Sequence, residues 1–278
     1  MGLLEPLART YPAGVTSWIE TKQPDVDTAI AFYGGLFGWE FEDRLPPDAL
    51  GRYVIATLDG LDVAAVTNST DGAASWETYV AVADADAALA RLLRLGATEV
   101  EPVQSAGLAG RSARVRDPNG ASISLWQAGQ RLGAQVTNSP GAWNFSDLHT
   151  SDVRSATLFY EKAFGWRVVD QGWGAAIQVP GYGDHLEATI DPDIRVRQAE
   201  APDGFEDVIG SLAQAGEDEP DHWHVTFTVA DCDEAVAAVQ RLGGQVLRSG
   251  QDDWTRHAVI RARAGATSTV SQFSPVNH

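Results

Sequence analysis

Cysteine is nearly missing from this 278-residue chain: Cys232 stands alone, so no internal disulfide can form and a disulfide-built secreted scaffold is excluded. Lysine is almost as scarce, with only Lys22 and Lys162 among mostly arginine bases. No apolar run approaches the roughly 18 residues that a membrane-spanning helix needs. The N-terminus lacks a basic start followed by a long apolar stretch, so a cytoplasmic location is expected. Positive charge is in deficit: 38 acidic against 20 basic residues leave a formal net charge of -18. Such a chain repels nucleic-acid phosphates and anionic lipid, and neither is an expected partner. A glycine-rich phosphate loop, a Cys-x-x-Cys pair and a Ser-His-Asp order are also lacking.

What is present suffices for a packed core, since 44% of the residues are hydrophobic, and the length suggests two domains. An internal repeat organises them. PDVDTAIAFYGGLFGWEFED, Pro24 to Asp43, returns as SDVRSATLFYEKAFGWRVVD, Ser151 to Asp170, at an offset of 127. WETYVAVADADAALARLLRLGA, Trp76 to Ala97, returns as WHVTFTVADCDEAVAAVQRLGG, Trp223 to Gly244, at an offset of 147. The growth in offset places an insertion in the second half, expected in the Asp-, Glu-, Pro- and Gly-rich stretch 191–221.

Each half divides again into two modules of strand, helix and further strands. Asp25, Asp84, Asp152 and Asp231 are placed to cap helix N-termini through their carboxylates. Val26, Ile30, Tyr33 and Phe37 recur at helical spacing, and Gly38 is placed to end that helix. Strand-like runs follow at Arg52–Leu58, Ala121–Gln127, Ala258–Ala262 and Thr267–Phe273. A Gly-, Asn-, Ser- and Pro-containing linker, 129–141, separates a first domain, 1–135 (modules 14–67 and 76–127), from a second, 136–278 (modules 142–190 and 222–273).

The repeated D-x₃-A-x₂-FY-x₃-FGW, the helix starts ADADAAL and ADCDEAV, and RDPNGASISLWQ, Arg116 to Gln127, resemble the vicinal oxygen chelate superfamily. This is the glyoxalase, bleomycin-resistance and extradiol dioxygenase fold, and the repeat is similar to its tandem two-domain actinobacterial branch. The resemblance implies an α+β protein of four βαβββ modules, paired into two cup-shaped mixed sheets with helices outside and a ligand cavity inside.

It also implies where metal ligands would stand: seven residues before each helix-opening Asp, and on each last strand after the D-P-x-G turn. The first rule gives Trp18, Glu77, Phe145 and His224; the second gives Ser124 and Thr269. Iron, manganese, nickel and zinc need several nitrogen and carboxylate ligands in one shell. No metal cofactor is therefore expected, with His224 and Glu187 as the fallback ligands of a divalent metal.

Strand alternation sets the expected lining. On the faces carrying those points lie Trp18, Glu20 and Lys22, then Glu77 and Tyr79, Ser124 and Trp126, Phe145, Asp147 and His149, His224 and Thr226, and Thr269. Trp18 and Phe145 are the expected aromatic contacts for a ligand, ahead of Trp126, Trp143 and Trp173, while Trp39, Trp76, Trp166 and Trp223 suit packing. Glu20, Asp147 and His224 are the candidate acid–base groups, the carboxylates alternatively pairing with Lys22, Arg114 or another arginine. His149 is placed near the rim; His185, His222 and His257 read as surface or loop residues. Cys232 has acidic neighbours that raise a thiol pKa, so no nucleophilic role is expected.

The function expected first is a metal-independent, bleomycin-resistance-type binding protein whose cup holds a planar or cationic small molecule. The alternative is an enzyme of the same superfamily, a lyase, isomerase, dioxygenase or hydroxylase-like tailoring enzyme, using a reduced metal site or acid–base residues. A small molecule is the expected partner, and the chain is expected as a monomer or homodimer. The stretch 191–221 is a candidate lid, with Gly204 or Gly210 as its hinge.

Overall fold

The computed structural model describes residues 8–46, 48–172 and 174–275, so Trp173 lies outside the described residues. The first module runs β1 (Thr16–Gln23), α1 (Val26–Phe37), β2 (Glu40–Asp43), β3 (Tyr53–Leu58) and β4 (Leu61–Asn68). The second runs β5 (Ser75–Ala81), α2 (Ala85–Arg94), β6 (Thr98–Ser105), β7 (Gly110–Arg116) and β8 (Ser122–Ala128). The third runs β9 (Trp143–Thr150), α3 (Val153–Phe164), β10 (Arg167–Asp170), β11 (Ala175–Gln178), α4 (Tyr182–Thr189), α5 (Ile194–Arg197) and β12 (Val208–Gln214). The fourth runs β13 (His222–Thr228), α6 (Cys232–Arg241), β14 (Gln245–Gln251), β15 (Thr255–Arg261) and β16 (Thr267–Phe273).

The strands form two eight-stranded mixed sheets, open and cup-like, giving an α+β fold of four modules. Their orders are β2-β3-β4-β1-β5-β8-β7-β6 and β10-β11-β12-β9-β13-β16-β15-β14. Within each module the first and last strands are parallel and the others antiparallel, as the pairings Glu20 with Ala65, Tyr79 with Ser124, Leu148 with Leu212 and Thr226 with Thr269 show.

Local chemistry explains the helices. Asp25, Asp84, Asp152 and Asp231 each accept a backbone N–H from the first turn, at 2.9–3.0 Å, satisfying a donor that the helix itself leaves unpaired. Gly38 and Gly165 close α1 and α3 with φ of 74° and 75°, the left-handed conformation that a side chain disfavours.

The third module departs from the repeat. Of the stretch 191–221, Val208–Gln214 is strand β12 of the second sheet, and the extra chain lies before it, as α4, α5 and a 3-10 turn at Phe205–Asp207. Gly210 pairs with Ile177 inside the sheet, where a hinge has no room to turn. Glu187 does not end a strand: it is exposed on α4 and ion-paired with Arg195.

Packing divides the chain into two compact units that cut across the sequence halves. Among the described residues, one comprises those up to Ser17 with Tyr79–Gln135 and Asp147–His222; the other comprises Trp18–Thr78, Val136–Ser146 and those from Trp223 on. In the first unit the Trp166 indole N–H donates to the Gly14 carbonyl at 2.6 Å, and Tyr160 stacks on Trp166 with centroids 4.9 Å apart. In the second the Trp39 N–H donates to the Gly141 carbonyl at 2.7 Å, and Phe227 packs against Phe37 and Trp76 at 4.7 and 5.1 Å. The FY-x₃-FGW motif is thus a core device: it buries large rings and gives the indole a carbonyl partner. All four tryptophans expected to pack, Trp39, Trp76, Trp166 and Trp223, are buried.

Candidate functional site

The two sheets treat their inward-facing positions differently. In the first, Trp18, Glu20, Glu77 and Ser124 are 5, 5, 4 and 2% exposed, so these positions are filled. Lys22 Nζ lies 3.7 Å from the Glu77 carboxylate, an ion pair with little water on the acidic side. Lys22 is one of the partners expected for Glu20, and it also reaches Glu77 on β5. Arg114, the other expected partner, reaches Glu101 on β6 at 2.5 Å. Tyr79 and Ser124 are register partners on β5 and β8, with Tyr79 half-buried. The Trp126 indole N–H is taken by the Arg131 carbonyl at 2.9 Å.

In the second sheet the alternation is open to water. His222, His224, Thr226 and Thr228 on β13 are half-buried, while Trp223, Val225 and Phe227 between them are buried. Phe145, Asp147 and His149 on β9, and Thr267 and Thr269 on β16, are half-buried as well. In the second compact unit, His224 Nε2 lies 2.8 Å from Thr269 Oγ1, and Thr269 is the register partner of Thr226. In the first compact unit, Asp147 Oδ1 accepts both the Ser211 N–H at 2.9 Å and the Ser211 hydroxyl at 2.8 Å. That carboxylate fastens β12 to β9.

The donor set at the points that the resemblance marks for a metal does not fit one. The first sheet offers Trp18, Glu77 and Ser124, with the single carboxylate already beside Lys22. The second offers Phe145, His224 and Thr269, with the single imidazole hydrogen-bonded to a hydroxyl. Neither supplies the several nitrogen and carboxylate ligands that a divalent transition ion requires.

Another cluster does bring such ligands together. Among the described residues, His149, Glu219 and His222 have ligand atoms within 4.8 Å of one another. His149 Nδ1 is 2.7 Å from Glu219 Oε1, and His222 Nε2 is 3.8 Å from the same oxygen. Burial alone would raise the Glu219 carboxyl, but the Gly216 N–H and the two imidazoles outweigh it and hold the group below its ordinary value. The expected places were the rim for His149 and the surface or a loop for His222, and no expectation fell on Glu219. The available signal was the acidic run EDEPDHWH running straight into an alternating strand. His185 and His257, also read as surface or loop residues, are half-buried and bonded to Thr10 and beside Asp252. Cys232 is buried, and burial first, then Asp233 and Asp231, raise its thiol pKa. No helix among the described residues is long and apolar enough to cross a membrane.

Comparison with known proteins places these features in a family. A family model described as a glyoxalase-like domain matches residues 18–126 and again 143–271. CFP32 of Mycobacterium bovis, provisionally named a glyoxylase, is 31% identical over 277 residues, covering 97% of this chain and 99% of that protein. The anthracycline biosynthesis protein DnrV of Streptomyces peucetius is 32% identical over 261 residues, covering 87% of this chain and 86% of that one. Among solved structures, the Mn(II)-bound glyoxalase from Novosphingobium aromaticivorans matches with a TM-score of 0.61 at 12% identity, covering 94% of this chain and 82% of that one. A catechol 2,3-dioxygenase matches with a TM-score of 0.58 at 13% identity, covering 96% and 90%. At these identities the structures speak for a shared fold alone.

Proposed function

We propose a function from one premise: the chain belongs to the glyoxalase-like domain family, within the vicinal oxygen chelate superfamily, and carries the domain in two copies. The protein binds a planar aromatic small molecule on the open face of its second sheet, without a metal at the family's ligand points. One observation carries this reading: Phe145, His224, Thr226 and Thr269 form a half-exposed set of one ring and three polar groups, where three of the four equivalent positions of the first sheet, Trp18, Glu77 and Ser124, are buried and only Tyr79 is half-buried. An aromatic ring stacks on a flat ligand while neighbouring hydroxyl and imidazole groups bond its edge oxygens. The relative DnrV, named for anthracycline biosynthesis, supports a flat aromatic ligand class, since anthracyclines are built on a flat fused-ring system.

Titration with alizarin, a planar dihydroxyanthraquinone, followed by tryptophan fluorescence, tests the reading. Saturable quenching is expected. Phe145→Ala should weaken binding roughly two- to tenfold, the value of a single ring contact, and Trp18→Phe should leave it unchanged. Absence of saturable binding, or sensitivity to Trp18 alone, would overturn it. A second reading, catalysis, rests on His224, whose imidazole beside Thr269 is placed to move a proton on a bound compound. It requires a new product by mass spectrometry that His224→Ala abolishes.

A further inference from the structure

The geometry points to a metal site that stands apart from the family's ligand points: His149, Glu219 and His222 bind one divalent transition cation of the zinc, nickel or cobalt class. His149 is the penultimate residue of β9, four residues beyond Phe145. His222 opens β13, two residues before His224, and Glu219 lies in the loop just ahead of it. The site therefore uses the far end of the β9 strand and a loop, neither of which the resemblance marks.

The donor chemistry selects the ion. Two imidazole nitrogens and one carboxylate oxygen suit borderline cations such as zinc, nickel and cobalt, whereas magnesium and calcium call for oxygen ligands throughout. Both nitrogens already face one oxygen, at 2.7 and 3.8 Å, so a cation between them needs side-chain adjustment rather than a backbone change. The two rings lie with centroids 4.9 Å apart.

The surroundings orient each ligand. His222 Nδ1 is 2.9 Å from the Pro220 carbonyl. A carbonyl only accepts, so Nδ1 carries the hydrogen, and in the neutral ring Nε2 presents its lone pair toward the carboxylate. This is the outer hydrogen bond by which metal-binding histidines are commonly held. The other Glu219 oxygen accepts the Gly216 N–H at 2.9 Å, which fixes the carboxylate plane. Asp221 then pins the loop to the end of β9, accepting the Thr150 hydroxyl at 2.5 Å and the Ser151 N–H at 3.1 Å. The loop is held before any ion arrives, so binding requires little ordering of the chain.

The test uses full-length protein freed of metal by chelator and titrated with zinc chloride by calorimetry, then with cobalt chloride by visible absorption. The expected result is one ion per chain and a cobalt spectrum of nitrogen and oxygen ligation. Glu219→Gln and His222→Ala should each weaken zinc binding by more than the roughly 10–100-fold that loss of an outer partner costs. His149→Gln should do the same. His224→Ala should leave binding intact. Thermal melts of each variant establish that it is folded, and zinc should raise the melting temperature of the parent but not of the three ligand variants. No saturable zinc binding, unchanged binding in all three, or loss in His224→Ala with retention in Glu219→Gln overturns the proposal.

Discussion

Asp117, in the DPNG turn between β7 and β8, offers a prediction whose size follows from counted hydrogen bonds. Its Oδ1 accepts the backbone N–H groups of Asn119, Gly120 and Ala121 at 2.9, 2.8 and 3.0 Å, and its Oδ2 accepts the Tyr160 hydroxyl at 2.9 Å. Asp117→Ala strips the acceptor from all four. Gly120 N–H keeps the Asp117 carbonyl at 3.0 Å, so the Asn119 and Ala121 amides and the Tyr160 hydroxyl are left without this partner. At about 1–3 kcal/mol for a buried donor, and less for Asn119 near water, the loss should be about 3–5 kcal/mol. Tyr160→Phe removes a single bond to the carboxylate and should cost about 1–2 kcal/mol. Asp117→Asn should cost least, since the amide oxygen can serve the backbone groups while its NH₂ donates to the tyrosine oxygen. Burial raises the Asp117 carboxyl above its ordinary value in spite of the four bonds. A raised folded-state value stabilises the protein below the unfolded value of about 3.8 and loses that contribution as pH climbs through the folded value. The gap between parent and Asp117→Asn should therefore shrink, or turn in favour of Asn, from pH 4 to pH 7. Urea unfolding followed by tryptophan fluorescence at both pH values measures it. An Asp117→Ala loss under about 1 kcal/mol, or a gap that widens with pH, refutes the reasoning.

Two further predictions concern the core. Trp39→Phe and Trp166→Phe keep a ring but leave the Gly141 and Gly14 carbonyls without their indole donors, so each should lower stability by about 1–3 kcal/mol in calorimetric melts. Equal melting temperatures for parent and variants would show that packing alone explains the motif. Cys232, buried with a raised thiol pKa, should react with iodoacetamide at pH 7 far more slowly in the native protein than in urea, as followed by intact-mass spectrometry; equal rates would remove the burial account of its inertness.

What the sequence made legible, and what it hid, depended on how far each structural cause reached along the chain. Helix caps act within three residues, so Asp25, Asp84, Asp152 and Asp231 all announced the helices that they cap. Alternation acts over two residues, and on β13 it separated half-buried His224, Thr226 and Thr228 from buried Val225 and Phe227. The same rule said less on β1, where Thr16 through Thr21 are all buried, because both faces of that strand are covered and alternation no longer separates inside from outside. β12 was lost for another reason. Its seven residues, VIGSLAQ, sit between α5 with its 3-10 turn and the acidic loop, and the composition of the whole stretch masked them. Their partners Leu148 and Ile177 lie 30 to 65 residues earlier in the chain. The Glu219 cluster is the extreme case. His149 and Glu219 are separated by 70 residues, and they meet because Asp221 bonds Thr150 and Ser151 where β9 ends and β13 begins. Resemblance pointed to positions 145 and 224, since those are the places where the fold usually carries ligands, and at those positions this chain has a ring and a hydrogen-bonded histidine. Among the described residues, the His149, Glu219 and His222 cluster therefore lies where neither a motif nor a periodicity could mark it, at a junction created by strand pairing.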